Sequence, residues 1–202
     1  MNKLSNIIFI LVAATILLQV NVAAQTLERT EVPEQYKWKL EDLYPSDQAW
    51  NQAKQKLAAQ FDEIKKYEGK LAGSASKLLA CLEFDSHISK EFGRLYSYAS
   101  MKSDEDKSNS KYIAMEQEMQ QLGTNYNSLS AFITPEIAGM DKKTIDKFIK
   151  QKSGLKIYKM KLYDIQRRKA HTLSEKEEKI LAEAGLLSDG PYTIYGIFSN
   201  AE

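Results

Sequence analysis

The chain has 202 residues, with 28 basic side chains against 27 acidic ones, and so is close to electrically neutral. That balance leaves no positive footprint for nucleic acid. A single cysteine, Cys81, rules out an internal disulfide, so packing has to supply the stability.

The first residues read as an export leader. Lys3 gives a positive start, Ile7 to Leu18 an apolar run, and Val22-Ala23-Ala24 the small-residue pattern of a signal peptidase site, with cleavage before Gln25. The alternative is an uncleaved anchor. Gln19 and Asn21 interrupt the run, which falls short of the roughly 20 apolar residues a spanning helix needs. No Cys follows the run, which argues against a lipoprotein. Cleavage removes Lys3 and leaves 27 basic residues against 27 acidic. The expected division is a signal peptide, 1–24, and one exported domain, 25–202, in the periplasm or outside the cell.

From residue 45 onward the apolar spacing is helical. Ser46 and Asp47 can cap a helix carrying Trp50, Ala53, Leu57, Phe61, Ile64 and Tyr67. Gly69 and Gly73 punctuate the chain. Ser74 is expected to cap a short helix through Leu78, Leu79 and Leu82, and Asp85 or Ser86 to start another with Ile88, Phe92, Leu95 and Ala99 on one face. Cys81, in "LLACLEF", reads as a small buried apolar side chain. "KSDEDKSNS" is a polar break. Next, Tyr112, Met115, Met119, Leu122, Tyr126, Leu129 and Ile133 follow at alternating steps of three and four, the seam of an antiparallel bundle helix that Pro135 should end. Leu122 and Tyr126 are expected to be buried there. Asp141 caps Ile145, Phe148 and Ile149. Gly154 breaks the chain, and Leu155, Tyr158, Leu162 and Ile165 form another stripe. "SEKEE" opens a further helix, and Asp189-Gly190-Pro191 should lead into the last. No segment alternates like a strand, with "TIYGIF" alone ambiguous. The fold class is all-α, an antiparallel helical bundle.

Few residues invite a chemical reading. In "AHTLSEKEE", His171 precedes Glu175 by four, but a zinc-protease helix needs His-Glu-x-x-His. Ser174 and Glu177 instead form a capping box, which places His171 before the helix and Glu175, Glu177 and Glu178 in its first turn. His87 and Glu91 are one turn apart and too few to make an independent zinc site. A calcium loop from Asp104 would use Asp106 and Ser108 but meets Asn109 where Gly belongs and Met115 where Glu belongs. Met115 and Met119 lie on the seam and read as core. The basic run Arg167 to Lys169 closes a helix, as the dipole favours. No Gly-rich phosphate loop, no Gly-x-Ser-x-Gly elbow and no Cys-His pairing is present. No catalytic, cofactor-binding or metal-binding residue is assigned.

Four stretches nonetheless form a familiar series. "VPEQYKWKLEDLYPSDQAW" (Val32 to Trp50), "RLYSYASMKSDEDKSN" (Arg94 to Asn109), "FITPEIAGM" (Phe132 to Met140) and "YDIQRRKAHTLSEKEEKILAEAG" (Tyr163 to Gly185) resemble, in order and spacing, the N-terminal region of the oligoendopeptidase F family. These are zinc metallopeptidases related to thimet oligopeptidase. The resemblance implies a longer protein whose His-Glu-x-x-His helix and further Glu ligand lie in a C-terminal catalytic domain. None of those residues has a counterpart here, and His171 is not one of them. The implied role is non-catalytic: one wall of a channel that admits short peptides, completed by the missing catalytic domain, with zinc belonging to the complete protein. The chain alone is expected to be inactive. A piece of a longer reading frame and a natural truncated protein both fit. The alternative function is a free-standing exported helical module that binds peptides or a protein partner. For a wall built to pack against a catalytic domain that is absent, the crowding of Tyr192, Ile194, Tyr195, Ile197 and Phe198 predicts an exposed apolar patch.

Overall fold

A computed structural model describes residues 31–171 and 173–200, so the expected leader, 1–24, lies outside the described residues. The chain divides into two compact units, Met1–Trp38 and Lys39–Glu202. In the first, the described residues include a 3-10 turn, Glu34–Tyr36, with Lys37 Nζ 2.7 Å from the Glu34 carboxylate. The second is helical throughout, with no strand among the described residues.

Helix α1 (Asp47–Ala58) starts where Ser46, in extended backbone, accepts the Ala49 amide at 3.1 Å. This satisfies a donor that the helix itself cannot. Trp50 and Leu57 are its buried positions. A 3-10 segment, Phe61–Tyr67, continues the expected stripe by burying Phe61 and Ile64. Gly69 then turns the chain at φ +71°, the left-handed region that glycine enters without a Cβ penalty.

Helix α2 (Ala75–Glu105) is capped by Ser74, which accepts the Lys77 amide at 3.2 Å. Two helices were expected here, and the structure has one of 31 residues, about 46 Å long at 1.5 Å per residue. Asp85 and Ser86 looked like a start because Asp and Ser compete for backbone hydrogen bonds. The Asp85 carboxylate is instead engaged elsewhere, accepting from Tyr126 Oη at 3.2 Å and from Lys161 Nζ at 2.9 Å. The polar break is correspondingly narrower than its sequence. Asp106 accepts the Ser108 amide at 3.0 Å and its hydroxyl at 2.6 Å, and Asn109 caps the next helix.

Helix α3 (Ser110–Ser130) runs back along α2, and the two share the most extensive helix–helix contact of the fold. Gly123 permits the approach, since a Cβ there would stand 3.0 Å from Phe92 Cζ. Met115, Met119 and Tyr126 of the seam are buried, whereas Tyr112, Leu122 and Leu129 are half-buried against the core. The expected burial of Leu122 is therefore corrected: it faces a groove, described below. Pro135 does not end α3 either. The helix stops at Ser130, whose hydroxyl donates back to the Tyr126 carbonyl at 2.9 Å. Pro135 sits in the first turn of α4 (Ile133–Gly139), where its missing N–H has no intrahelical acceptor to lose.

Asp141 caps α5 (Lys142–Gln151), accepting the Thr144 amide at 2.8 Å, and Ile145, Phe148 and Ile149 form its buried face. Gly154 lies in a 3-10 segment, Ser153–Tyr158, packed so closely on α2 that a Cβ would stand 2.9 Å from Leu79 Cδ2. Helix α6 (Lys159–Arg167) buries Leu162 and Ile165. After a 3-10 turn, Lys169–His171, come α7 (Glu175–Glu183) and α8 (Gly185–Asn200), both in contact with α3. The last helix begins earlier than expected. Pro191 lies inside α8, and "TIYGIF" is helical. Helical turns on both sides carry the proline at the loss of the one backbone bond it cannot donate.

Candidate functional site

The four family-like stretches turn out to be structural joints. In the first two, the Tyr44 ring meets Tyr98 edge-on, with centroids 5.6 Å apart, and Trp50 stacks on Tyr98 at 6.4 Å. Trp50 Nε1 donates to the Leu95 carbonyl at 2.9 Å, and Tyr98 Oη to the Asp47 carboxylate at 2.7 Å. Burial pushes the Asp47 carboxyl up, but the hydrogen bonds from Lys111 and Tyr98 outweigh it and hold the group below the usual range. In the third stretch, the Glu136 carboxylate accepts the backbone amides of Gly69 and, at 3.1 Å, Leu71. It thereby pins the turn that leads into α2. In the fourth, Gln166 Nε2 donates to the Ile137 carbonyl at 2.6 Å, joining α6 to α4. Asp164 pairs with Arg167 at 2.6 Å and Arg168 at 2.8 Å, and the Arg167 hydrogen bond lowers its pKa.

The residues that invited a metal or nucleophile reading are dispersed. Ser174 accepts the Glu177 amide, and the Glu177 carboxylate accepts the Ser174 amide at 2.9 Å: the capping box is formed. Its serine hydrogen bonds keep the Glu177 carboxyl below its usual pKa. His171 is exposed in the turn before α7, and nothing is described of the Glu175 side chain. His87 is exposed on α2, while Glu91 pairs with Arg94 at 3.8 Å. Asp104 pairs with Lys107 at 2.8 Å. Cys81 is fully buried, and desolvation, then the nearby Asp85, pushes its thiol up to about 12. A neutral buried thiol is neither nucleophile nor ligand at ordinary pH. Among the described residues no group of three or more His, Cys, Asp or Glu could hold a metal ion. The described residues therefore do not fit the zinc that the resemblance implies.

What the sequence did not reveal is a groove of about 520 Å³ between α1, α3 and the end of α7. Its α3 wall presents Glu118, Gln121, Leu122 and Asn125, positions that fall on one face of a helix. The α1 wall presents Lys54, Gln55 and Ala58. Lys54 is ion-paired with Glu118 and lies 4.6 Å over the Trp50 ring. At the other end, Ser128 Oγ donates to Glu183 at 3.3 Å, tying α3 to α7. Leu122 is only half-buried because one side of it borders this open space. A seam periodicity gives no hint of that, since it records a helix face and not what stands opposite.

A second surface lies on α8. Phe198 is 88% exposed and Leu187 83%, and Tyr192, Ile194 and Tyr195 are exposed as well. This matches the expected apolar stretch, except that the Ile197 side chain lies outside the described residues.

The fold is thus an all-α scaffold with two open surfaces, and comparison with known proteins fixes its class. Residues 136–202 match the family described as Oligopeptidase F. Oligopeptidase PepF of Bacillus subtilis is 37% identical over 180 residues, covering 89% of this chain and 27% of the relative. The plasmid oligoendopeptidase F of Lactococcus lactis subsp. cremoris is 33% identical over 175 residues, covering 86% of this chain and 29% of the relative. The crystal structure of oligoendopeptidase-F from Enterococcus faecium matches with a TM-score of 0.73 at 27% identity, over 78% of this chain and 31% of that one. The chain belongs to the oligoendopeptidase F family and corresponds to its N-terminal helical region. It spans less than a third of the length of these relatives.

Proposed function

We propose that this chain is the non-catalytic N-terminal part of an exported zinc metallo-endopeptidase that cleaves short peptides, and that it forms one wall of the substrate channel. The observation that carries the reading is the apolar α8 surface in a chain that covers only 27% of its Bacillus subtilis relative. Five large apolar or aromatic side chains exposed on one helix point to a contact with further protein. The rest of the family fold is the natural occupant, and it would bring the zinc ligands and general base that the described residues lack. The leader pattern of residues 1–24 supports export.

The DNA downstream of codon 202 tests the reading. A frame continuing to a His-Glu-x-x-His motif supports it, and a stop codon at that point overturns it. Export is tested separately by sequencing the N-terminus of the protein recovered from the periplasm or medium. A start at Gln25 is expected, and a cytoplasmic protein that retains Met1 refutes that part.

A further inference from the structure

We infer that the face formed by α5, the 3-10 segment Ser153–Tyr158 and the start of α6 docks on an anionic lipid bilayer. These elements line neither the groove nor the α8 surface, and the inference does not rest on the metallopeptidase reading above. Between Asp141 and Met160 the chain carries seven lysines and two aspartates, in a protein whose formal net charge is only +1. The fold turns this surplus outward because α5 is two-sided. Ile145, Phe148 and Ile149 face the core, which leaves Lys143, Lys147 and Lys150 along the opposite side over about 10 Å. These three lysines, with Asp146 and Gln151, border an open depression. Lys152 and Lys156 extend the exposed basic surface past the end of α5. Among the described residues, no carboxylate forms an ion pair with Lys147, Lys150, Lys152 or Lys156.

Two bare alkyl side chains adjoin this basic face. Ile157 is 78% exposed and Met160 80%. With Tyr163 they follow at steps of three, which places them on one stripe where the 3-10 segment passes into α6. The Tyr163 ring joins that stripe to α5. Lys142 Nζ stands 5.6 Å from its centroid and Lys159 Nζ 5.4 Å, and its hydroxyl donates to Asp146 at 2.6 Å. The other aspartate, Asp141, is held at the helix start by the Thr144 amide and hydroxyl. Both acids are thus engaged locally, and the lysine surplus faces water. Lysines around protruding alkyl groups match the layering of a membrane surface: phosphates meet the ammonium groups, and the apolar tips reach the acyl boundary beneath. Single-stranded nucleic acid offers the same phosphates but rewards aromatic stacking and arginine. From Lys142 to Met160 there is no arginine and no exposed ring. A protein partner fits less well, because protein interfaces are depleted in lysine.

The test is flotation of the full chain with vesicles of phosphatidylcholine alone and of phosphatidylcholine mixed equally with phosphatidylglycerol. The protein should float with the mixed vesicles and not with phosphatidylcholine. Raising the ionic strength from about 0.1 M to about 1 M shortens the screening length from about 10 Å to about 3 Å and should release it. Lys147→Gln with Lys150→Gln should weaken binding about 25-fold, about fivefold for each lysine brought to an anionic surface. Ile157→Ser with Met160→Ser should weaken it as well. All four positions are exposed, so the unfolding temperature should not move. Tyr195→Ser with Phe198→Ser on α8 should leave the preference for anionic vesicles intact. Absence of flotation, equal flotation with both vesicle types, or binding that survives the lysine changes would overturn the inference. Binding that ignores the Ile157 and Met160 changes and is competed by single-stranded DNA would make the face a polyanion site and overturn the membrane assignment. Whether the reading frame continues to a zinc motif has no bearing on these outcomes.

Discussion

Met119 and Leu122 sit on the same stripe of α3, one turn apart, and sequence periodicity treats them alike. The structure does not. Met119 is 0% exposed, enclosed between α3 and the rest of the core, whereas Leu122 is half-buried and borders the groove. Truncating Met119 to alanine removes three heavy atoms from a closed space and leaves a cavity. Buried Leu, Ile and Met truncations cost about 2–5 kcal/mol because the transfer loss and the cavity add. Leu122→Ala opens no closed cavity, because its outer side already faces solvent, and part of the leucine never left water. About 1 kcal/mol remains, half or less of the transfer value for a fully buried side chain.

Thermal unfolding of the two single variants, followed by circular dichroism, decides the matter. A domain of this size moves about 2–4 °C per kcal/mol. Met119→Ala should therefore lower Tm by about 4–20 °C and Leu122→Ala by about 2–4 °C. Equal shifts, or a larger one for Leu122, would show that the groove is closed in solution and that the stripe is uniformly core.

Glu136→Ala should cost about 1–2 kcal/mol by stranding the amides of Gly69 and Leu71. Hydrogen exchange at those two amides should accelerate, and unchanged exchange would remove Glu136 from this role. Asp47 has a native pKa below its ordinary 3.8, so its contribution is complete above that value and is lost as pH falls through the lower native one. Wild type should accordingly lose more stability than Asp47→Asn between pH 5 and pH 2, as read by urea titrations; parallel losses would contradict the linkage. The purified chain should bind a hydrophobic dye, and Tyr195→Ser with Phe198→Ser should abolish that binding without lowering Tm, since both side chains are exposed. Metal analysis should find no stoichiometric zinc and peptide assays no chelator-sensitive cleavage, because no donor cluster exists among the described residues.

The parts of the fold legible in sequence are those decided within one turn. Ser46, Ser74, Asp141 and Ser174 each cap a helix, and each does so with an oxygen that reaches an amide three residues on. The misread positions answer to distant partners. Asp85 resembles a helix start until Tyr126 and Lys161, 41 and 76 residues away, occupy its carboxylate. Pro135 resembles a terminator, yet α3 has already ended at Ser130 and the proline opens the next helix. The groove could not be read at all. It is made of one face each of α1 and α3 with a single residue of α7, so it depends on how distant segments are brought together.

The two open surfaces differ in chemistry, and the difference separates a transient ligand from a lasting partner. Between Gly185 and Asn200 the only charged residue is Asp189, and five large apolar or aromatic side chains stand in water. Obligate interfaces have that apolar character, and leaving such a surface uncovered is costly enough to drive association. The groove is bracketed by charges at both ends and lined with amides that water satisfies well. Leaving it empty costs little, so it can fill and empty repeatedly.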